Sequence, residues 1–265
     1  MNGLQLGDCL EGMRQIDSNA VDLTVTSPPY DAMRDYGGHE WDFAEIATEL
    51  FRITKPGGIV AWNVQNQIIG GQESLSAERQ RLYFCDACGF RPHSTIYVLT
   101  TAAFRKPSKA RYADTVQLVY IFSKGTPKTI NILKDRKNKT AGASVRYGTR
   151  KKDGSRRYGN LKITPDLGYR TNAWYIKQCV QPHASNKFIH EHPALMPEPL
   201  AQDLVLSFSN PMELVLDPFA GAGTTARAAI LSGRQYVGFE VHKPYYELAM
   251  KNIDDAHRVL AASFQ

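Results

Sequence analysis

The 265-residue sequence has no long hydrophobic run and little cysteine. No stretch approaches the ~18 apolar residues that a membrane-spanning helix needs, and no basic segment followed by an apolar one opens the chain. From these absences we expect neither a membrane span nor a secretory signal of the usual kind. We therefore expect a soluble, cytoplasmic protein without a membrane partner.

The cysteine content argues against disulfides and against a metal site. The chain has four cysteines, of which only Cys85 and Cys88 form a CxxC motif. Structural zinc requires four ligands, and neither a second cysteine pair nor a histidine run completes such a set. We expect ordinary reduced thiols and no metal.

Positive charge is concentrated in one quarter of the chain. Residues 124–187 contain 16 Lys/Arg and three Asp, a net charge of +13, whereas the remainder has 16 Lys/Arg and 23 Asp/Glu, or −7. Aromatic residues are interleaved in this segment: Tyr147, Tyr158, Tyr169, Trp174 and Tyr175. Cations that neutralise phosphates favour a nucleic-acid partner for the segment as a whole. For any single residue there, a solvated basic loop is the simpler explanation.

Outside this segment, strands and helices alternate. "STIYVL" and "VQLVYIF" predict two strands whose connection is too short for a helical crossover, so we expect an antiparallel pair. The alternation elsewhere predicts an α/β fold with a doubly wound, mostly parallel sheet. We expect residues 1–124 and 187–265 to form two halves of one domain, into which a basic region, residues 125–186, is inserted.

A glycine-rich turn follows a hydrophobic strand in "LDPFAGAGTT". Asp217 ends the strand, Gly221 and Gly223 permit close approach of a ligand, and a helix begins at Thr224. Doubly wound folds bind nucleotides at this position. No GK[ST] follows, which favours a ligand without phosphates. Glu240, at the end of the next strand, is suited to accept both hydroxyls of a ribose. Without the glycine-rich turn before it, the simpler explanation would be a solvent-exposed glutamate at the end of a strand.

A second motif, "TSPPY", ends the strand that begins at Val21. Pro28 and Pro29 cannot donate to a sheet ladder, so the strand stops and a rigid corner follows. The corner carries the Ser27 hydroxyl, two carbonyls for which no neighbouring proline amide competes, and the Tyr30 ring. Considered alone, a turn that only ends a strand is an alternative explanation.

Together, "TSPPY", "DPFAGAGTT" and "GFE" resemble the motifs of the AdoMet-dependent DNA amino-methyltransferases. Their order resembles the beta group, a circular permutation of the class I methyltransferase sheet, and the resemblance covers nearly the whole chain except residues 125–180. It implies S-adenosyl-L-methionine as the cofactor and double-stranded DNA as the partner, with the target base swung out of the duplex. A homodimer and a cognate restriction endonuclease are further candidate partners.

The resemblance also implies roles for individual residues. Ser27 and the Pro28 carbonyl would accept hydrogen bonds from the target amine, Pro29 completes the rigid corner, and Tyr30 would stack on the flipped base. The implied cofactor-binding residues are Asp8, Asp217, Phe219, Gly221, Gly223, Thr224, Thr225, Glu240 and His192. Asp8 is equally well explained as a helix cap. Met196 stands where the family often has Phe, and His192 fits the cofactor side better than the role of a general base.

The candidate DNA-binding residues are Arg105, Lys106, Lys109, Arg111, Arg146, Arg150, Lys151, Lys152, Arg156 and Arg157.

Family members with Ser before Pro-Pro-Tyr mostly methylate N4 of cytosine, and those with Asp mostly methylate N6 of adenine. We therefore prefer a cytosine-N4 enzyme, with the adenine-N6 enzyme as the alternative. An RNA or protein methyltransferase and a catalytically silent DNA-binding module are more distant alternatives.

Overall fold

The computed structural model describes residues 3–29, 41–100, 109–146, 148–176 and 195–263. The chain divides into two compact units. The larger unit comprises residues 1–131 and 172–265, and the smaller unit comprises residues 132–171.

The larger unit contains helices and strands in alternation. Its elements are β1 (Gly3–Leu6), α1 (Cys9–Arg14), β2 (Val21–Thr26), α2 (Phe43–Ile53), β3 (Thr54–Val64), β4 (Ile68–Ile69), β5 (Gln72–Glu73), α3 (Ser76–Asp86), β6 (Arg91–Thr100) and β7 (Val116–Ser123). After the smaller unit follow β14 (Ala173–Ile176), α4 (Glu198–Phe208), β15 (Leu214–Asp217), α5 (Thr224–Leu231), β16 (Gln235–Glu240) and α6 (Lys243–Ala262).

One sheet organises the larger unit. In the described residues it has eight strands in the order β1-β16-β15-β2-β3-β7-β6-β14. Strand β7 is antiparallel to both β3 and β6, whereas the other neighbouring pairs are parallel. The predicted α/β class, the mostly parallel sheet and the antiparallel pair are confirmed.

Both faces of the sheet are buried, which explains its nearly continuous apolar strands. Along β3, Trp62 packs into one hydrophobic cluster with residues of α1, α2 and α3. Its neighbour Ala61 points to the opposite face, where Leu200 and Leu204 of α4 belong to a second cluster. Helix α6 packs on α5 through a third cluster that includes Ala226 and Ile253.

Several element boundaries differ from the sequence-based expectation. Helix α2 begins after Asp42, whose carboxylate accepts a hydrogen bond from the Glu45 amide at 3.0 Å, as predicted. Strand β3 starts at Thr54 and not at Ile59, because Thr54 pairs with Val21; the "KPGG" stretch then forms an irregularity before pairing resumes at Ile59. Helix α6 continues to Ala262, beyond the predicted "KPYYELAMKNI".

The smaller unit consists of short antiparallel ribbons. Its strands are β8 (Lys134–Lys137), β9 (Ser144–Val145), β10 (Gly148–Arg150), β11 (Arg156–Tyr158), β12 (Lys162–Ile163) and β13 (Leu167–Tyr169). They pair as β8 with β13, β9 with β12 and β10 with β11. The smaller unit is shorter than the basic region expected from the sequence, residues 125–186. On its C-terminal side the difference arises because β14 joins the main sheet beside β6. Trp174 of β14 is buried in the second cluster, which corrects its assignment to the aromatic residues of the basic region.

Among the described residues, no helix has both the length and the apolar character needed to span a membrane.

Candidate active site

The proline corner and the glycine bend leave the sheet at the same edge. Strands β2 and β15 are parallel neighbours, with Leu23 paired to Val215 and Thr24 to Leu216. Both motifs follow the carboxyl ends of these strands. The hydroxyl of Thr26 donates a 2.6 Å hydrogen bond to Oδ1 of Asp217, across 191 positions of sequence. The two motifs are therefore physically joined.

Asp217 is buried at this junction. Besides the bond from Thr26, Oδ1 accepts a 3.1 Å hydrogen bond from the Phe219 amide. Burial raises the pKa of Asp217 to about 6, although hydrogen bonds from Thr26, Thr225 and Phe219 act in the opposite direction. The Thr225 hydroxyl also lies 3.2 Å from the Val25 carbonyl, and its single hydrogen serves one acceptor at a time.

The bend requires glycine at two positions. Gly221 and Gly223 have φ values of 51° and 75°, in the left-handed region that side chains disfavour. A Cβ on Gly223 would also lie 3.0 Å from Cβ and 3.2 Å from Cα of Ala249 on α6. Helix α5 starts directly after Gly223, at Thr224, as predicted. The absence of a side chain at Gly223 thus lets the bend pack closely against α6.

Glu240 holds the bend from the neighbouring strand. Its Oε2 accepts a 2.8 Å hydrogen bond from the Gly221 amide, and its Oε1 accepts one of the same length from the His242 amide. Burial raises the pKa of Glu240, against the effect of these two amides. Each carboxylate oxygen retains a second lone pair that a ligand hydroxyl can use.

Asp8 lies beside Glu240 at the same edge. Strand β1 pairs with β16 so that Leu6 is opposite Glu240, and the Gly7 amide donates to the Glu240 carbonyl at 2.9 Å. The Asp8 carboxylate accepts hydrogen bonds from the amides of Leu10 and Glu11 at 2.8 and 3.1 Å. The helix-cap role of Asp8 is confirmed.

Phe219 and Cys9 contribute hydrophobic packing. The Phe219 ring is 5.1 Å from that of Trp41 and 6.4 Å from that of Trp62. Cys9 is buried, which raises the pKa of its thiol to about 12. Cys9 therefore stays protonated at neutral pH and has no thiolate to act as a nucleophile.

Some predicted site residues lie outside the described part of the chain: Tyr30, Arg105, Lys106 and His192, together with the aromatic residue Tyr147. Ser27, Pro28 and Pro29 are described, and they directly follow β2. Thr26 was not among the predicted site residues. A polar residue at the buried end of an apolar strand was the available signal for it.

The remaining candidate DNA-binding residues are exposed. Lys109 and Arg111 belong to the larger unit, and the Arg111 guanidinium donates to the Gly71 carbonyl in the turn between β4 and β5. The others lie in the smaller unit: Arg146, Arg150, Lys151, Lys152, Arg156 and Arg157.

The sheet order, the glycine bend and the acidic end of the next strand together fit a methyltransferase fold. A family model described as DNA methylase, N6_N4_Mtase, matches residues 21–251. The chain belongs to this family and is a DNA methyltransferase. This membership supports a DNA methyltransferase over an RNA or protein methyltransferase.

Individual relatives agree with this assignment. The chain is 42% identical over 252 residues to the orphan methyltransferase M.BamHII of Bacillus amyloliquefaciens, which covers 94% of this chain and 90% of the relative. The solved PvuII DNA methyltransferase (cytosine-N4-specific) matches with a TM-score of 0.71 and 21% identity, over 98% of this chain and 93% of that one.

A second solved structure carries the cofactor. TTHA0409 of Thermus thermophilus, described as a putative DNA modification methylase and solved in complex with S-adenosyl-L-methionine, has a TM-score of 0.62 and 20% identity. The match covers 97% of this chain and 95% of that one. The predicted methyltransferase fold is confirmed.

Proposed function

We propose that the protein transfers a methyl group from S-adenosyl-L-methionine to the N4 amine of a cytosine swung out of duplex DNA. The observation that supports this most is the hydrogen bond between Thr26 and Asp217. This bond holds the proline corner, where the amine would bind, next to the glycine bend, where the cofactor would bind. Direct transfer of an activated methyl group depends mainly on such positioning.

The residues at the bend fit the cofactor. Glu240 would accept the ribose hydroxyls with its remaining lone pairs, and its bond to the Gly221 amide holds the bend beside it. The bound cofactor supplies a methyl group on a positively charged sulfonium. Asp217, ionised above pH about 6, would favour this charge. Asp8, Phe219, Thr224, Thr225 and His192 complete the proposed cofactor site.

The corner would activate the amine. An amine conjugated with its ring is a weak nucleophile, because its lone pair is delocalised. Ser27 and the Pro28 carbonyl would accept its two hydrogens and draw the lone pair out of conjugation, while Pro29 keeps the corner rigid and Tyr30 stacks on the base. A serine hydroxyl is too weak a base to take the proton first. The proton therefore leaves late, to water, and no covalent intermediate forms.

The choice of base rests on Ser27. Its neutral hydroxyl is the residue type that we associate with cytosine-N4 enzymes, and the name of the PvuII relative points the same way. Adenine N6 is the alternative, because the family includes both kinds of enzyme.

Analysis of the methylated product decides between them. Duplex DNA of mixed sequence is incubated with the protein and cofactor, digested to nucleosides and analysed by mass spectrometry. We expect N4-methylcytosine. N6-methyladenine as the only modified nucleoside would contradict the cytosine assignment.

The β10–β11 hairpin supports a DNA-binding role for the smaller unit. Arg150 pairs directly with Arg156, and Gly148 with Tyr158. Like charges opposite each other destabilise a hairpin unless an anion neutralises them. A two-stranded ribbon also fits the major groove of B-DNA. We propose that this hairpin contacts DNA together with Arg146, Lys151, Lys152 and Arg157. We propose that a second basic contact with DNA is formed by Arg105, Lys106, Lys109 and Arg111.

A homodimer and a cognate restriction endonuclease stay proposals. The relative M.BamHII is named an orphan methyltransferase, which favours action without an endonuclease.

A further inference from the structure

Tyr112 is the most exposed large hydrophobic side chain in the part of the chain that the structure describes. It is 96% exposed, whereas tyrosine rings are usually at least partly buried. Lys109 and Arg111, just before it in the sequence, are also exposed, and the acidic residue Asp114 is half-buried. A single exposed apolar residue is common at protein surfaces, so the position and the surroundings of Tyr112 decide whether it has a role.

Tyr112 lies at the same edge of the sheet as the proline corner. Strand β7 runs antiparallel to β3, so the residues that precede β7 lie beyond the carboxyl end of β3. The proline corner lies beyond the carboxyl end of β2, which is parallel to β3. Because β2, β3 and β7 are adjacent, the strands next to Ser27 and Tyr112 are two positions apart in the sheet. Neighbouring strands are about 4.8 Å apart, so these two strands are separated by about 10 Å.

The loop that carries Tyr112 is held at both ends. On one side, the Arg111 guanidinium donates to the Gly71 carbonyl in the turn of the β4–β5 hairpin. On the other side, the Thr115 carbonyl accepts hydrogen bonds from the amide and the hydroxyl of Thr100, at 2.9 and 3.2 Å. Tyr112 therefore stands exposed on a loop that is already fixed in place, which lowers the entropy cost of binding a partner.

The β4–β5 hairpin supplies a second exposed apolar side chain. Ile69 is 61% exposed and directly precedes the turn of Gly70 and Gly71, whose φ values of 58° and 80° suit a tight hairpin. At the base of the hairpin, the Gln67 amide donates to the Ser74 hydroxyl at 3.1 Å, and the Ser74 amide donates to the Gln67 carbonyl at 2.9 Å. Two large apolar side chains are thus exposed on two loops that are hydrogen-bonded to each other.

The extrusion of a base creates a need for such side chains. It costs the free energy of unpairing and unstacking, and it leaves a gap between the two flanking base pairs. Proteins that deform DNA insert apolar side chains between base steps, and an aromatic ring stacks on bases of any kind. Cations beside the ring can neutralise the phosphates that flank the gap.

We propose that Tyr112 enters the duplex and fills the space that the extruded base leaves, with Ile69 beside it. The inference rests on the proposed function and adds to it a residue that stabilises the extruded state. Lys109 and Arg111 favour duplex DNA as the partner of this surface. An isologous contact between two copies of the chain would instead bring the same cations together, which is unfavourable.

The test compares Tyr112→Ala with Tyr112→Phe. We expect kcat/KM for methylation of duplex DNA to fall by at least about 10-fold in the alanine variant, because a stacking partner is lost. The phenylalanine variant should stay within about 2-fold of the wild type, since it keeps the ring. AdoMet affinity and the urea midpoint should not change in either variant, because the Tyr112 side chain is exposed and packs on no part of the fold.

A fluorescence measurement supplies a readout that a weaker grip on DNA would not change. Sequencing of methylated DNA first locates the target position, and 2-aminopurine then replaces the target base in a labelled duplex. The fluorescence of this base rises when it leaves the stack. At saturating protein we expect a full rise with the wild type and Tyr112→Phe, and less than about half of that rise with Tyr112→Ala. The same rise in all three proteins would overturn the proposal.

A matched control is Met212→Ala. Met212 is 71% exposed, but it precedes β15 and so lies at the edge of the sheet opposite to the proline corner. This variant should keep kcat/KM within about 2-fold of the wild-type value. A loss as large as that of Tyr112→Ala would overturn the proposal, because it would show that the effect does not depend on the catalytic edge.

The remaining outcomes identify a different partner or a failure of the proposed function. A lower mass of Tyr112→Ala in sedimentation without DNA would mean that Tyr112 joins copies of the chain, and would overturn the proposal. If the wild-type protein methylates no base in duplex DNA, the proposed function is wrong. If it methylates DNA and Tyr112→Ala keeps the wild-type kcat/KM, the proposed function stands and the inference about Tyr112 is wrong.

Discussion

At the scale of single residues, Asp217 connects the parts of the site. Its carboxylate accepts hydrogen bonds from Thr26 and from the Phe219 amide, and its side chain is buried. A buried carboxylate is unfavourable in its charged form, which is why its pKa is raised to about 6. The molecule thus keeps a costly charge at the point where a cationic cofactor is proposed to bind.

The first prediction concerns pH. The pKa of Asp217 is raised from 3.8 in a free side chain to about 6, so between these values the folded protein binds more protons than the unfolded chain. The contribution of Asp217 to stability should fall as pH rises through this window, by on the order of 3 kcal/mol, and level off above it. The raised pKa of Glu240 acts in the same direction.

Urea unfolding between about pH 4 and 8 measures this effect through a comparison with Asp217→Asn, which cannot ionise. The stability of the wild type relative to the variant should decrease as pH rises. A difference that does not depend on pH would show that Asp217 titrates as an ordinary carboxyl group.

Local motifs predicted part of the site and missed another part. The glycine bend and Glu240 were predictable, because their spacing along the chain reflects one strand–turn–helix unit and the strand after it. Thr26 was not, because its partner Asp217 is 191 positions away.

At the scale of elements, the packing of α5 against α6 depends on Gly223. A side chain at this position would be strained by the left-handed backbone, and its Cβ would lie only 3.0 Å from Cβ and 3.2 Å from Cα of Ala249. Gly233, at the other end of α5, has a similar φ of 71°, but a Cβ there would meet no atom within 4 Å. A comparison of the same substitution at the two glycines therefore separates the effect of backbone strain from the effect of steric crowding.

The second prediction uses this pair. Gly233→Ala should lower the free energy of unfolding by about 1 kcal/mol, because only the left-handed conformation is strained. Gly223→Ala should lower it by at least about 2 kcal/mol and weaken AdoMet binding, because α6 must also move. Urea denaturation and calorimetry measure the two effects. An equal decrease in the free energy of unfolding in the two variants would mean that α6 moves away from the added methyl group without a loss of stability.

The short strands show the limit of pattern analysis at this scale. All four residues of β8, Lys134–Lys137, are exposed, and backbone hydrogen bonds hold the ribbon without a buried side chain to mark it. No alternation of apolar and polar residues therefore appears in the sequence. Strand β14 does alternate, with Trp174 and Ile176 buried, but four residues are too few to distinguish an edge strand from a loop.

At the scale of the whole molecule, charge is divided between regions. The segment 124–187 carries +13 and the remainder −7. In a protein that binds DNA, neutralised phosphates release counterions, and affinity depends on salt in proportion to the number of phosphates that the protein neutralises.

The third prediction tests the β10–β11 hairpin. In the double variant Arg150→Gln and Arg156→Gln, the slope of log affinity against log salt should decrease in magnitude by about 0.9 for each phosphate that is no longer neutralised. Arg14→Gln is a suitable control, because Arg14 pairs with Glu45 on the surface of the larger unit. Fluorescence anisotropy with labelled duplex DNA gives the slopes. Identical slopes in the wild type and the double variant would remove the hairpin from the DNA interface.

The proposed chemistry requires above all that the target amine binds at the proline corner, next to the cofactor. Single-turnover methyl transfer by Ser27→Ala, with AdoMet affinity measured in parallel, tests this directly. We predict that transfer slows by at least about 100-fold while AdoMet affinity is retained, because the missing hydroxyl acts on the amine and not on the cofactor. Transfer at the wild-type rate in this variant would contradict a role of the corner in methyl transfer.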